Sequence, residues 1–211
     1  MYRRHLKHSR VKNLFKFASI KMNTVFTVES SLEFDTCFHL EFSPLVDTFE
    51  AQPEGFYYYF EGHKLPYTPD FRVTDCKNTR YFLEVKPAEL VVEPDFLQRF
   101  PAKQQAAFEL DCPLKLVTEK QIRMSPTLGN LKLLYRYSGF QTITPLHMQL
   151  LELLAKTGKV SLSHLCYLTG ASKGEVSAST LYLIARGWVK SNLTEQAFGM
   201  TTSVWVNSVE E

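Results

Sequence analysis

The stretch YTPDFRVTDCKNTRYFLEVKP, residues 67–87, constrains the fold of this chain more than any other feature of its sequence. Apolar and polar residues alternate on both sides of the break TDCKNT, and this pattern predicts two short strands, 71–73 and 81–85. The break contains Asp75 and Asn78, whose short side chains bond to nearby backbone groups in tight turns. The sequence therefore predicts an antiparallel β-hairpin.

Two acidic residues occupy matching positions on this hairpin. Asp70 and Glu84 are equally far from Lys77, so an antiparallel pairing centred there places their carboxylates nearly opposite each other. Because side chains alternate between the two faces of a strand, Glu84 and Lys86 project from the same face. The pattern predicts that two carboxylates and one lysine converge at the open end of the hairpin.

A metal ion would account for such a cluster. Two carboxylates about 5 Å apart repel by roughly 3 kcal/mol at an effective dielectric constant of about 20, and a hard cation removes this repulsion. We expect Mg²⁺, with Mn²⁺ as a substitute, bound by Asp70, Glu84 and the backbone carbonyl of Val85. The alternative is a surface hairpin with solvated charges, because a P-D followed by an E-x-K is a short pattern.

A helix is predicted to begin near Ser30, because apolar residues recur at helical spacing through VESSLEFDTCFHLEF. Glu33 in its first turn has two interpretations. It forms a capping box with Ser30 that closes the start of the helix, or it directs a third carboxylate at the metal. Glu29 is the nearest alternative for the second role.

Together these segments predict an α/β core over residues 29–140 with a mixed sheet. Besides the hairpin, the core is expected to contain strands at 45–49, 56–60 and 114–117 and a helix at 95–110. Proline breaks helices from within, so we expect an interruption of this helix near Pro101. Lys103 and Gln104 on the same helix either contact a phosphate backbone or are solvated surface residues.

After a connector at 139–144, the composition predicts a separate winged-helix domain at 145–211, with three helices and a small hairpin. This segment holds five basic and five acidic residues. Its third helix, 173–186, presents mainly Ser, Ala, Thr and apolar side chains, whereas a helix that reads DNA usually presents several Arg, Lys, Asn or Gln. We therefore expect this domain to contact protein, with DNA binding as the alternative.

Residues 1–28 form a basic N-terminal arm in this interpretation, because they contain seven basic and no acidic residues. Each cation that neutralises a phosphate releases counterions, so nucleic acid is the expected partner and a solubilising or targeting tail is the alternative. The expected DNA-binding residues are Arg3, Arg4, Lys7, Arg10, Lys12 and Lys16, together with Lys103.

The remaining features predict a cytoplasmic protein without a membrane partner. The chain lacks the run of roughly 18 apolar residues that a membrane span needs, and its basic start is not followed by an apolar signal region. Its four cysteines are scattered without metal-binding spacing, and we expect free thiols, mainly in the cores.

The chain resembles the TnsA endonucleases of TnsABC-type heteromeric transposons over roughly residues 25–206. The resemblance rests on SSLEFDTCFHLEF, YTPDF and FLEVKP in this order, then a helix bearing lysine and glutamine, LKLVTEKQI and the C-terminal module. It implies a restriction-endonuclease-like fold of the PD-(D/E)xK type with Glu33, Asp70, Glu84 and Lys86 as the active site. Some members have Gln where this chain has Glu84.

The resemblance also implies a biological role and partners. TnsA-like proteins cut the 5′ strands at transposon ends, a TnsB-like transposase cuts and joins the 3′ ends, and the C-terminal domain contacts a TnsC-like ATPase. The expected substrate is double-stranded DNA at those ends in a bacterial cell. Two alternatives remain: an assembly adaptor that links DNA to an ATPase without catalysis, and a free-standing restriction or repair nuclease.

Overall fold

A computed structural model of the protein describes residues 13–139 and 142–206. The chain divides into two compact units, and the boundary between them follows Met124. In these described ranges the protein is mixed α/β, with eight helices and several small sheets.

The first unit contains eight strands and four helices within its described part. In chain order they are β1 (Phe15–Ser19), β2 (Thr24–Val28), α1 (Ser31–Phe42), β3 (Val46–Ala51), β4 (Phe56–Phe60), β5 (His63–Tyr67), β6 (Phe71–Asp75), β7 (Arg80–Val85), α2 (Ala88–Val91), α3 (Pro94–Phe108), β8 (Leu114–Val117) and α4 (Glu119–Ile122).

A four-stranded sheet in the order β3-β6-β7-β8 is the centre of this unit. Its first two pairings are antiparallel and β7 pairs with β8 in parallel, so the predicted mixed sheet is confirmed. The predicted turn between β6 and β7 is confirmed as well. Asp75 Oδ1 accepts hydrogen bonds from the backbone N–H groups of Lys77 and Thr79, at 2.9 and 2.8 Å, and Asn78 has φ of 61°.

The expectation that strand 56–60 joins this sheet is wrong. β4 pairs instead with β5 in a separate antiparallel hairpin. The turn between them consists of Glu61 and Gly62 with φ of 49° and 75°, the two successive positive values that a tight two-residue hairpin turn requires.

The predicted interruption at Pro101 is also wrong, because α3 runs through this residue. Phe100 and Ala107 of α3 are buried in a cluster with Phe56 and Tyr58 of β4. A proline inside a helix costs about 3 kcal/mol. Burial of the Phe100 ring, with Phe96 packed against the same cluster, offsets a cost of that size.

Residues 15–28, which we expected in the basic arm, form a β-hairpin that packs on α1. Phe17 of β1 is fully buried, and its ring lies 5.2 Å from the ring of Phe38. In the turn of this hairpin, the ammonium group of Lys21 donates hydrogen bonds to the carbonyl oxygens of Leu40, Ser43 and Val46 at 2.8–2.9 Å. Lys21 therefore stabilises the C-terminal end of α1.

The second unit contains α5 (Thr127–Tyr137), α6 (Pro145–Thr157), β9 (Val160–Ser161), α7 (Leu162–Thr169), α8 (Lys173–Ala185), β10 (Lys190–Ser191) and β11 (Ser203–Trp205). Its strands form a small antiparallel sheet in the order β10-β11-β9. Three helices and a small hairpin were predicted for residues 145–211 and are confirmed as α6, α7, α8 and the pairing of β10 with β11, whereas β9 was not predicted.

The boundary of this unit lies earlier in the chain than the predicted connector at 139–144, because α5 packs on α8. Asn130 of α5 explains the difference. It is buried, its side-chain amide donates to the carbonyl oxygens of Leu193 and Gln196, and its side-chain oxygen accepts from the N–H of Phe198. Helix periodicity alone does not reveal such long-range contacts.

The second unit has a buried histidine that makes its stability depend on pH. His147 is 2% exposed, its Nδ1 accepts a hydrogen bond from the backbone N–H of Thr144, and its Nε2 has no partner in the described part of the chain. Burial lowers the pKa of His147 below its usual value of 6.5. The folded unit therefore excludes a proton that the unfolded chain binds.

We expect the second unit to lose stability as the pH falls through 6.5 towards the lowered pKa of His147, and to be insensitive above that range. Both tryptophans of the chain, Trp188 and Trp205, lie in this unit, so their fluorescence during urea unfolding reports on it alone. His147→Gln should flatten the dependence of the urea midpoint between pH 7.5 and 5.5. The matched change at exposed His164 should leave it as in the wild type, and equal slopes for all three proteins would contradict this assignment.

Two further expectations concern the whole chain. The cysteines are free thiols, with Cys37 and Cys112 buried and Cys76 exposed. Within the ranges that the structure covers, no helix has the length and apolar character to cross a membrane.

Candidate active site

The register of β6 and β7 brings Asp70 and Glu84 to matching positions. Phe71 pairs with Leu83 in this antiparallel ladder, so the next residues outward are Asp70 and Glu84. This is the register that the sequence predicts. The backbone carbonyl of Asp70 accepts a hydrogen bond of 2.8 Å from the N–H of Gln52, which extends the pairing of β3 with β6 by one residue.

Asp70 is partly buried and lies among charges of the same sign. Its Oδ2 accepts a hydrogen bond of 2.7 Å from the backbone N–H of Val85. Burial, followed by the negative charges of Glu84 and Glu33, raises the pKa of Asp70 well above its usual value. The hydrogen bond from Val85 and the positive charge of Lys86 oppose this shift. The other three predicted catalytic residues therefore lie within electrostatic reach of Asp70.

Glu84 is 6% exposed, and its carboxylate accepts a hydrogen bond from the hydroxyl of Tyr67. Tyr67 is the last residue of β5 and is itself buried. Burial and the adjacent charge of Glu84 raise the pKa of Tyr67 well above its usual value, so the hydroxyl keeps its proton and acts as the donor. The second carboxylate of the site is thus fixed by a neutral phenol.

Glu33 bonds at the start of α1, as the first of its two interpretations predicts, but the reciprocal capping box is not formed, because its carboxylate accepts from the backbone N–H of Glu29 and not from that of Ser30. Its Oε1 accepts from the hydroxyl of Ser30 at 2.8 Å, and its Oε2 accepts from the N–H of Glu29 at 3.0 Å, so it closes the start of α1. The backbone N–H of Glu33 in turn donates to Ser30 Oγ at 3.1 Å. Its charge still acts on Asp70.

Lys86 follows β7, and its backbone N–H donates to the carbonyl of Val117 at 3.0 Å, which continues the parallel pairing with β8. The side chain is partly buried. In the described ranges it forms no ion pair. Its ammonium is consequently available to a ligand. The carbonyl of Val85, which the sequence analysis proposed as a ligand, belongs to the residue that pairs with Val117.

Lys103 on α3 lies beside these residues. Its ammonium is 4.4 Å from the centre of the Tyr67 ring. Burial lowers the pKa of Lys103, the charge of Glu84 opposes this shift, and the charge of Lys86 adds to it. Of the other predicted DNA-binding residues, Lys16 is exposed on β1, and Arg3, Arg4, Lys7, Arg10 and Lys12 lie outside the described residues.

The carboxylates around Asp70 are the candidate ligands of a metal ion. Among the residues that the structure describes, no three His, Cys, Asp or Glu side chains are grouped so that they could hold an ion together. The chemistry of the set nevertheless fits a hard cation, because carboxylates of like charge crowd Asp70. Glu33 has both oxygens engaged by the helix start, so Asp70 and Glu84 are the residues with the fewest competing contacts.

Two residues of the site were missed by the sequence analysis. Tyr67 binds Glu84, and Gln52 contacts two other members through its backbone bond to Asp70 and a side-chain N–H that lies 3.4 Å from Glu33 Oε2. Gln52 has φ of 49°. A tyrosine three residues before the predicted Asp70 was visible in the sequence, but only the unpredicted strand β5 explains its orientation.

Comparison with models of known protein families found no match to this chain, and a search of curated proteins found no similar sequence. The resemblance to TnsA therefore stays a prediction from the short motifs.

Proposed function

We propose that this protein is a metal-dependent DNA endonuclease of the PD-(D/E)xK type. The observation that carries the proposal is the pair of acids, Asp70 and Glu84, at matching positions of β6 and β7 with Lys86 two residues further on. A bound cation would relieve the repulsion between like charges that burial has brought together, and a cation held by carboxylates can also bind a phosphate. The first unit is then a restriction-endonuclease-like core.

The chemistry assigned to the chain is hydrolysis of a DNA phosphodiester. Bound Mg²⁺ or Mn²⁺, held by Asp70 and Glu84 with Glu33 nearby, would polarise the phosphate and stabilise the leaving oxygen. Lys86, whose ammonium has no ion pair in the described ranges, orients the attacking water and offsets the charge that grows on the phosphate. Val85 N–H and Tyr67 hold the two acids in place.

We infer further, from the resemblance, that the enzyme acts in a heteromeric transposase and cuts the 5′ strands at transposon ends. The basic residues before position 17 would bind the flanking DNA phosphates. The second unit would be a winged-helix module that contacts a TnsC-like ATPase, in keeping with the balanced charge of residues 145–211. A TnsB-like transposase would cut the 3′ strands.

The experiment is a cleavage assay with the full chain, a TnsB-like transposase and duplex transposon ends whose two strands carry different labels. We expect nicks in the 5′ strand with Mg²⁺ or Mn²⁺ and none with EDTA. Lys86→Met should lower the nicking rate by about 10²-fold or more. Lys115→Met is the control and should keep the wild-type rate. It removes an ammonium on β8 that lies 3.8 Å from the centre of the Tyr81 ring on β7.

Two outcomes would contradict the proposal. DNA binding with no nick under any metal would favour the assembly adaptor. Cleavage of arbitrary duplexes by the chain alone would favour a free-standing nuclease.

A further inference from the structure

Lys103 occupies an unusual environment for a lysine. It lies in the third turn of α3 and is partly buried, with its ammonium 4.4 Å from the Tyr67 ring and 5.8 Å from the Tyr58 ring. Both tyrosines are buried, with 8% and 4% of their surface exposed. The interpretation of Lys103 as a solvated surface residue therefore does not describe its position.

The ammonium of Lys103 lies on an aromatic ring and has no ionic partner among the described residues. Across residues 13–139 and 142–206, no carboxylate forms an ion pair with Lys103, and no oxygen accepts a hydrogen bond from it. An aromatic face stabilises a cation and leaves its N–H groups unused. These N–H groups are available to an acceptor that approaches from the side opposite the ring.

Tyr67 links this lysine to the acids of the site. The face of the Tyr67 ring contacts the ammonium of Lys103, and the Tyr67 hydroxyl donates a hydrogen bond to Glu84. The ring itself is fixed by edge contacts with Phe56 and Tyr58, at centroid distances of 5.2 and 6.4 Å. Lys103 and Glu84 thus both contact the same buried side chain.

We propose that Lys103 is a second lysine of the active site, which binds a phosphate of the DNA strand being cut, and that Tyr67 is the positioning residue for both Lys103 and Glu84. This inference rests on the proposed nuclease function. Lys86 and Lys103 then contact the strand from two different places, the residue after β7 and the helix α3, so that the phosphate next to the bond being cut is held between two cations. Phosphate groups are the acceptors that such paired ammonium groups bind most readily in DNA complexes.

The first measurement is binding of a fluorescent end duplex by the full chain at several salt concentrations, with Ca²⁺ in place of Mg²⁺. We expect Lys103→Met to reduce the slope of log affinity against log salt by about one unit, the loss of one phosphate contact. Lys103→Arg should restore the slope, because it keeps the charge. Lys115→Met, which removes another lysine stacked on a tyrosine ring, should leave the slope unchanged.

The second measurement separates Tyr67 from Lys103. Tyr67→Phe removes only the hydroxyl, so the ring still supports Lys103 and the salt slope should stay as in the wild type. Mg²⁺ binding measured by calorimetry should weaken by about 10-fold, because Glu84 loses its donor. Tyr81→Phe is the matched control and should bind Mg²⁺ as the wild type does.

The results distinguish this inference from the proposed function. If the wild type never nicks DNA, the proposed nuclease function is wrong. The slope of log affinity against log salt still decides whether Lys103 binds a phosphate. A folded Lys103→Met with the wild-type slope and nicking rate overturns the assignment of Lys103. If that variant fails to fold, Lys103→Gln replaces it, and the slope of log affinity against log salt decides in the same way. Unchanged Mg²⁺ binding in Tyr67→Phe overturns the positioning role.

Discussion

Asp70→Asn is expected to abolish nicking while making the metal-free protein more stable. The substitution removes a carboxylate that a cation needs, so the nicking rate should fall by more than about 10³-fold. It also removes a negative charge that burial and the charges of Glu84 and Glu33 disfavour. The side-chain oxygen of asparagine still accepts the hydrogen bond from Val85 N–H, so the local geometry is retained.

The gain in stability should be of the order of 1 kcal/mol, or roughly 2–4 °C in Tm for a chain of this length. It can be measured by calorimetry in EDTA. Addition of Mg²⁺ should raise the Tm of the wild type and leave that of Asp70→Asn unchanged.

Asp75→Asn is the matched control, because Asp75 is at the opposite end of β6 and backbone N–H groups of Thr79 and Lys77 lower its pKa. This change should keep the nicking rate and should not stabilise the protein. A nicking Asp70→Asn, or one that is less stable than the wild type in EDTA, would refute the placement of Asp70 in a cation site.

Lys21→Met should destabilise the first unit by about 2–3 kcal/mol. The ammonium of Lys21 donates hydrogen bonds to three carbonyl oxygens, and a hydrogen bond to a charged group contributes about 1.5–3 kcal/mol. The expected total is lower than the sum of three such bonds because Lys21 is partly exposed to water. Methionine keeps the length of the side chain and leaves the carbonyls of Leu40, Ser43 and Val46 without their donor. Lys16→Met, on the exposed face of the same hairpin, should change stability by less than about 0.5 kcal/mol.

Hydrogen exchange of peptides that span residues 40–49 measures this effect within the first unit. Tryptophan fluorescence provides an internal control, because it follows the second unit and should show the same transition in all three proteins. DNA affinity should show the opposite pattern to stability. Lys16→Met should bind DNA more weakly than the wild type, and Lys21→Met should bind it equally well. Equal exchange rates in Lys21→Met and the wild type would show that these hydrogen bonds do not stabilise the hairpin.

The sequence could predict the elements whose signals are local. The register of β6 and β7 follows from the alternation around Lys77, and the start of α1 follows from the cap Ser30. These predictions succeed because the determining residues lie within a few positions of each other.

The pairing of β4 with β5 follows from a local two-residue turn at Glu61 and Gly62 that was overlooked in the sequence. The other failures originate in contacts between distant segments, because α3 continues through Pro101 where its apolar face is buried, and α5 joins the second unit through Asn130. None of these contacts changes the local pattern. The same holds for Tyr67, whose role at the site depends on where β5 ends relative to β7.

Charge counting was misleading for a related reason. The seven basic residues before Glu29 form one compositional block, yet Lys21 is turned into the fold and Lys16 is exposed. Composition describes the total charge of a segment and carries no information about which side chains face solvent.

The double engagement of Glu33 has an evolutionary consequence. The same carboxylate that closes the start of α1 also contributes charge at Asp70, so most substitutions of Glu33 would reduce thermal tolerance together with any activity. Purifying selection for a durable fold alone would then retain this acid. Selection for stability would act against Asp70 if Asp70→Asn is the more stable protein, as expected above, and its persistence in a lineage would then be a record of selection on chemistry.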